Sequence, residues 1–539
     1  MKKNLLIAIL CLLQYSSAVS QVQPYQVTIY DSSATVGYYF LVPSRVTNPM
    51  QGIHAQMILD QFGDLVYYRS LGVAANSPGF TVQPNGMITY CLNSKFYILD
   101  STFTVKDTVV CKNVTTDNHE FQILPNGNYL MLGFEYVVMD LSAYAWFKPT
   151  GTHGSANASV ICNVIQEQDS NKNVVFEWHA KDYFSFTDVD STWFSNPNLV
   201  DWTHSNALEL DDDGNILLSS RAFNEITKIN RSDSSIMWRL GGTQNQFTFL
   251  NDTVPFYGQH DIRRNANGNI TFFDNGYRVL GAPYHGCRAV EYQLDEVNKT
   301  ATLVWDYVYD STMYSRATGN VQCLPNGNIL VNFGIINKNN VTFVVVDSLK
   351  NKKFEVSFYD TMSSYRAFNF QQLPWMFHRP VITCFDSAGV SYLDAGPGHA
   401  IYQWSNGETT RVIAVTTADT FQVWVPYGTS GYISSERLFV TNSLDPCDIG
   451  TAVSFSSMNN EIEIYPNPAG DKLYISNPSS FELATEFSLY NVMGEKIMKG
   501  ELSSSNNVST IDVSELSRGL YVLCITSRGE IHTMKVMKD

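Results

Sequence analysis

One strand-turn-strand phrase recurs along most of this chain, as VQPNGMITYC, ILPNGNYLML, LDDDGNILLSS, RNANGNITFF and CLPNGNILVNF. In each copy an apolar strand runs into Asn-Gly or Asp-Gly and an alternating strand resumes. Those dipeptides tolerate the positive φ angles of a tight turn, so each phrase reads as a β-hairpin. The turn glycines are Gly86, Gly127, Gly214, Gly268 and Gly327, at spacings of 41, 87, 54 and 59 residues. A sixth copy begins at MILDQFGDLVYYR with Gly63 at the turn, and the long gap holds an insertion, roughly residues 141–200, that includes NVVFEW. Four-stranded units at such intervals, with almost no long amphipathic helix between them, predict an all-β chain whose first part, residues 22–378, is a six-bladed β-propeller. β-Helix repeats are much shorter, a sandwich rarely keeps one turn phrase over roughly 240 residues, and the Gly-His and Trp-Asp pairs of WD repeats are absent.

Both ends depart from this pattern. Residues 1–20, MKKNLLIAILCLLQYSSAVS, have two lysines, an apolar stretch and small residues, and predict a secretory signal peptide cut before Gln21. Cys11 lies inside that apolar stretch, a poor place for a lipid anchor. Of the eight cysteines that remain, none forms a CxxC metal pattern, and Cys384 and Cys447 bracket one candidate module as the first pair to expect in an oxidising compartment. Residues 381–447 alternate Tyr, Trp, Val and Ile with polar residues and resemble a small immunoglobulin-like β-sandwich, with Trp404 as its core aromatic. After a Ser- and Asn-rich linker at 448–460, the phrases YPNPAGDKL, NVMGE and LSRGLYVL in residues 461–539 resemble the C-terminal sorting domain of the type IX secretion system, a small β-sandwich. That resemblance implies export through the Sec pathway and periplasm to the medium or the outer-membrane surface, with the type IX machinery as a partner. A net charge of −16 disfavours nucleic acid and anionic membrane surfaces as partners.

A propeller gathers its site from inner strands and the loops at one end of them. His119 in DNHEFQILPNG, His204 in DWTHSNALELDDDG and His260 in GQHDIRRNANG precede their turn glycines by eight, ten and eight residues. A histidine recurring near one register of three repeats would bring three imidazoles to one axis. Three histidines can hold zinc with an open position, whereas the nearby Asn206 and Arg221 supply donors, and a guanidinium suits an anion. A histidine taken singly is better explained as a satisfied, partly buried side chain, and it is the recurrence in three repeats that shifts the weight.

The stretches DWTHSNALEL, the SSR ending at Arg221, WRLGG, GQHDIRR with the FDNG that follows it, and RAVEYQLDEVNKTATLVWDY resemble, in order, the bacterial arylsulfotransferases over most of residues 50–378. The resemblance implies a six-bladed propeller that moves a sulfuryl group from an aryl sulfate donor to a phenolic acceptor, with no nucleotide, cofactor or metal. It implies His260 as the nucleophile, with His119, His204, Asn206 and Arg221 around the sulfuryl group. Tyr136, Trp202 and Tyr257 are candidates to hold the aryl ring by proximity alone. Cys287 stands where the family pattern has a serine. His285 and Arg288 either face the axis or pack a blade. His54, His153, His179, His378, His399 and His532 have no comparable context. A non-catalytic propeller binding glycans or proteins has no need of the joint set, and a quinone- or metal-dependent propeller enzyme is told apart by bound colour or by chelator sensitivity. Oligomeric state is not readable from the chain.

Overall fold

The structure is a computed structural model. It describes residues 25–440 apart from 32, 35, 46–53, 73–78, 148–150, 191–193, 278–285, 338–340, 360–361 and 388, and residues 463–538 apart from 466–468, 477–485, 492–495, 503–507 and 528–529. The signal peptide, the linker, His285 and Cys447 lie outside the described residues. Contacts divide the chain into a unit of residues 24–376 and a second that holds residues 377–539.

The recurring phrase explains how the first unit is built. In all five copies the turn glycine has a positive φ, between 81° and 84°, which only glycine adopts cheaply. Its N–H donates to the carbonyl three residues back, as Gly86 to Gln83, Gly127 to Leu124, Gly214 to Asp211, Gly268 to Asn265 and Gly327 to Leu324. The Asn or Asp before each glycine turns its side-chain oxygen to the N–H two residues on, so Asn85 takes Met87, Asn126 takes Asn128, Asp213 takes Asn215, Asn267 takes Asn269 and Asn326 takes Asn328. The phrase therefore sets one turn geometry five times.

These turns join the first two strands of five sheets. Numbered in chain order, sheet 2 is Thr81–Val82, Ile88–Leu92, Lys95–Leu99 and Val105–Val109. Sheet 3 is Thr115–Ile123, Tyr129–Met139, Ala158–Gln168 and Val174–His179, with Leu199–Asp201 added in parallel to Ala158–Gln168. Sheet 4 is Ser205–Leu210, Ile216–Ser220, Glu225–Ile229 and Ile236–Gly241. Sheet 5 is His260–Arg264, Ile270–Asp274, Arg288–Asp295 and Thr300–Tyr307, with Thr248–Leu250 in parallel at its far edge. Sheet 6 is Asn320–Cys323, Ile329–Asn332, Val341–Val346 and Lys352–Phe358, completed by the N-terminal strand Tyr25–Tyr30. Sheet 1 begins with the late strand Met362–Phe370, paired to Tyr38–Arg45, followed by Ala55–Asp60 and Leu65–Ser70. The Gly63 copy differs for this reason. It joins the last two strands of sheet 1, because the first two come from opposite ends of the unit. The long 41-to-87 spacing change has a similar cause: NVVFEW supplies the fourth strand of sheet 3, and the inserted segments lie on either side of Ala158–His179.

Buried side chains join each sheet to the next. Phe40 of sheet 1 meets Phe80 beside sheet 2 with centroids 5.1 Å apart. Gln83 bridges to the backbone of Phe121 and Ile123, Gln122 to Leu208 O at 2.8 Å, and Asn206 to Gln259 O at 2.8 Å. Phe273 and Ala289 of sheet 5 share a core with Val321, Val331 and Val344 of sheet 6. Asn320 then bonds both the N–H and the carbonyl of Ala367, so the order of contacts returns to sheet 1.

In the second unit, Trp404 is fully buried and donates Nε1–H to Thr410 O at 2.8 Å. Cys384 is disulfide-bonded. Between residues 463 and 538 a three-stranded and a four-stranded antiparallel sheet enclose Leu473, Ile475, Leu489, Leu523, Ile525 and Val536. No helix of the described residues is long and apolar enough to cross a membrane.

Candidate active site

The hairpin of sheet 4 brings two of the expected residues face to face. Ser205 pairs with Ser220, so His204 and Arg221 stand opposite one another just beyond the strands, joined by the Arg221 N–H to His204 O at 3.1 Å. His204 has a φ of +44°, a strained value for a branchless but bulky ring, and its Nδ1 bonds Asp201 Oδ2 at 2.5 Å. Arg221 is half-buried and donates Nη2–H to Arg316 O at 2.6 Å. Burial lowers its guanidinium to about 10, so it is a cation at neutral pH.

His119, on the inner strand of sheet 3, lies against His204 with ring centroids 5.4 Å apart. Its Nδ1 makes a short bond to Asp117 Oδ1. Burial pulls this imidazole down, but the charge and hydrogen bond of Asp117, helped by Asp201, outweigh it and leave the pKa raised. The ring of Tyr365, from the late strand of sheet 1, has its centroid 5.9 Å from that of His119.

His260 opens the inner strand of sheet 5 and is buried. Its neighbours fix its tautomer. Asn275 donates Nδ2–H to Ser315 Oγ at 3.0 Å and to Thr318 O at 2.9 Å, which leaves its Oδ1 to accept from His260 Nδ1–H at 2.7 Å. The Thr318 N–H donates to His260 Nε2 at 3.1 Å. Nε2 is therefore the nitrogen with the lone pair. Burial holds the ring's pKa well below the usual histidine range, reinforced by the charges of Arg221, His204 and His119, so the ring is neutral at neutral pH. Under it Arg263 and Arg366 both bond Glu120 and Asp261, closing a buried ionic floor. Burial pushes Glu209, beside this floor, up to about 7.

The structure thus brings together His119, His204, His260 and Arg221. Asn206 differs in detail. One of its N–H donors goes to Gln259 O, so it ties sheet 4 to the residue before His260, while its buried Oδ1 has no protein partner among the described residues. The same is true of Thr318 Oγ1 and Tyr365 Oη. Buried polar atoms are rarely left so; the Thr318 and Tyr365 hydroxyls could donate to a bound oxyanion, and Asn206 Oδ1 could accept from a phenol hydroxyl.

The three aryl-ring candidates do not join this group. Trp202 is buried in the core between sheets 3 and 4 and bonds Phe186 O. Tyr136 is exposed and meets Phe134 edge-on. Tyr257 bonds Asp190 and lines a cavity of about 300 Å³ with Phe249, Phe256 and Asn224, whose lining contains none of the three histidines. Arg288 is held by Asp252 and Asp274, and Cys287 is buried with its thiol pKa pushed up, so both serve packing. His179 sits between Glu135 and Glu177, and His153 bonds Ser142 O. Among the described residues no group of three or more His, Cys, Asp or Glu side chains is placed to hold a metal ion.

Sequence reasoning missed Asp117, Asp201, Asn275, Thr318 and Tyr365. The two aspartates had a signal, standing two and three residues ahead of their histidines, and Asn275 lies within the FDNG phrase. Thr318 and Tyr365 had none, since only the fold brings them near.

The model of the family described as Arylsulfotransferase (ASST) matches residues 25–370. A second model, for a secretion system C-terminal sorting domain, matches residues 463–539. None of the curated proteins matches the chain. Among solved structures, a protein of unknown function from Bacteroides caccae is 12% identical, with 62% of this chain and 98% of that one covered and a TM-score of 0.40. A protein from Lactobacillus plantarum is 10% identical, with 74% and 100% covered and a TM-score of 0.33. A catalytically inactive virginiamycin B lyase from Staphylococcus aureus with quinupristin is 10% identical, with 74% and 98% covered and a TM-score of 0.29. Likeness this slight says nothing about what this chain binds.

Proposed function

The chain belongs to the arylsulfotransferase family, and from that premise we propose that it transfers a sulfuryl group from an aryl sulfate to a phenolic acceptor in two steps, through a sulfohistidine at His260. The observation that carries the reading is the state of His260: a buried, neutral imidazole with Nδ1–H committed to Asn275, the Nε2 lone pair accepting from the Thr318 N–H, and the charges of Arg221, His204 and His119 acting on the ring. In the first step that lone pair forms an N–S bond, the S–O bond to the aryl ring breaks, and the leaving phenolate takes a proton from the imidazolium of His119 or His204. In the second step the acceptor phenol returns a proton to that ring, its oxygen attacks sulfur, and the N–S bond breaks. The Thr318 N–H released by Nε2, with the Arg221 guanidinium and the remaining Asn206 donor, meets the equatorial oxygens, where sulfuryl transfer gathers charge as phosphoryl transfer does.

The six sheets, each in contact with the next, fit the blades of a six-bladed propeller with the histidines at its axis. On this reading residues 22–378 are the transferase domain, 381–447 an immunoglobulin-like module, and 461–539 the sorting domain. That last domain implies recognition by the type IX secretion machinery and a destination at the outer-membrane surface or in the medium.

The test is transfer from a chromogenic aryl sulfate to added phenol by the full chain, without nucleotide, beside His260→Ala. Acceptor-dependent turnover and a sulfurylated peptide containing residue 260 are expected in the parent and neither in the variant. Equal turnover in both proteins moves the nucleophile elsewhere, and none with a panel of phenols favours a binding propeller.

A further inference from the structure

Asn163 belongs to the third strand of sheet 3, not to the inner strands that carry the histidines, yet it touches the supports of two of them. Its Nδ2 donates to Asp117 Oδ2 at 3.2 Å and to Gly133 O at 3.4 Å. Its Oδ1 accepts from the Thr203 hydroxyl at 2.6 Å and from the Ser205 N–H at 2.9 Å, and its own N–H donates to Thr203 Oγ at 3.3 Å. Thr203 and Ser205 are the residues on either side of His204, whose φ is positive. Asp117 is the carboxylate that holds His119. One side chain, 2% exposed, thus fixes the carboxylate behind one imidazole and the strained backbone of the other.

We infer that Asn163 is a positioning residue that holds His119 and His204 as one unit, a pair of Nδ1-anchored rings turned toward the transferred group. The assignment rests on the sulfuryl-transfer reading for its kinetic consequence but not for its structural one. An amide is needed because the two duties are opposite in sign. Asp117 requires a donor, the Thr203 hydroxyl and Ser205 N–H require an acceptor, and no other side chain of this size offers both without a charge. An aspartate would keep the acceptor but set a second carboxyl against Asp117. Leucine would fill the space and leave buried groups unpaired.

The test compares Asn163→Ala, which removes four side-chain bonds, and Asn163→Asp in the full chain, with Gln322→Ala as a control that removes two partly buried bonds between sheets, those to the backbone of Asn369. Asn163→Ala should lower kcat roughly 10- to 100-fold, the effect of sub-ångström to 1 Å misplacement, with donor KM changed less than threefold. Asn163→Asp should move the alkaline limb of the kcat profile to higher pH, since added negative charge favours protonated His119. The other groups around that ring are Asp117, Asp201, Arg366, His204 and Tyr365. A fall in kcat no larger than that of Gln322→Ala overturns the proposal. A second readout does not need activity. In histidine-labelled protein the ring resonances of His119 and His204, assigned by substitution, should both shift in Asn163→Ala while those of His153 and His399 stay in place. If only one moves, or neither, the coupling is refuted whether or not the parent transfers sulfate. Absence of transfer by the parent, with both resonances moving, refutes the sulfuryl reading and leaves the positioning role standing.

Discussion

Replacing Asn275 by Asp is nearly isosteric and strikes the feature on which the proposed chemistry depends. In the parent the amide oxygen accepts from His260 Nδ1–H at 2.7 Å without carrying charge, and burial keeps the ring neutral. A carboxylate there would face an imidazolium whose charge centre lies roughly 4 Å away, and at an effective dielectric of about 20 that attraction is about 4 kcal/mol. With one pKa unit equal to about 1.4 kcal/mol, the His260 pKa would rise by up to about three units. The sign follows. Protonated His260 has no lone pair on Nε2, so the acid limb of the rate profile, set by loss of the neutral ring, moves up toward or past neutral pH, and activity returns as pH rises. Asp also loses the donor to Ser315 and Thr318, so the recovered plateau should stay below that of the parent. The assay is the nucleotide-free aryl sulfate to phenol transfer across a pH series, with circular dichroism to confirm folding. An unchanged acid limb, or a variant most active in acid, would refute the assignment of Nε2 in the neutral ring as the attacking atom.

Other substitutions probe neighbouring steps. Asp117→Asn removes the charge that raises His119, so that histidine's pKa should fall and the alkaline limb of kcat should move to lower pH. Because the parent value is raised, stability from this pair is present at low pH and lost as pH climbs through the folded-state pKa, so the pH dependence of thermal unfolding should flatten in the variant over that interval. Arg221→Ala should cost roughly 10- to 100-fold in kcat/KM, the worth of charge-assisted donors to a transferred anion, and Arg221→Lys should restore only part, since it loses the fork that also bonds Arg316 O. Leu218→Ala, in the core between sheets 3 and 4, should destabilise the first unit by about 2–5 kcal/mol by chemical denaturation while leaving the donor KM unchanged.

Much of this was legible because the turn phrase is local. Asn-Gly and Asp-Gly determine a hairpin from a few residues, so five of the six hairpins could be placed in register from the sequence, and His119, His204 and His260 with them. The Gly63 copy shows the limit: a hairpin can be recognised without knowing whether it lies at the inner or outer end of its sheet, since that depends on which distant strand joins the edge. Trp202 shows another limit. Proximity to His204 in sequence says nothing about side-chain direction, and in the short link between two strands the indole turns into the core and bonds Phe186 O. Asn163, Thr318 and Tyr365 were invisible because their meaning lies in contacts across 30 residues or more of chain.

Sheet 1 is finished by the strand Met362–Phe370, and that strand also carries Arg366, which reaches Glu120, Asp261 and the carbonyl of Asn206. The consequence is one of timing. A chain emerging from the ribosome, or threading through a translocon, has made all three histidines long before it has made the cation that neutralises the floor beneath them. Until residue 366 arrives, Glu120 and Asp261 are short of a countercharge, and Tyr38–Arg45 presents an unpaired edge. The setting of His260 is completed by nearly the last residues of its unit, so a truncated or still-unfolded chain carries that histidine without the surroundings the folded unit gives it.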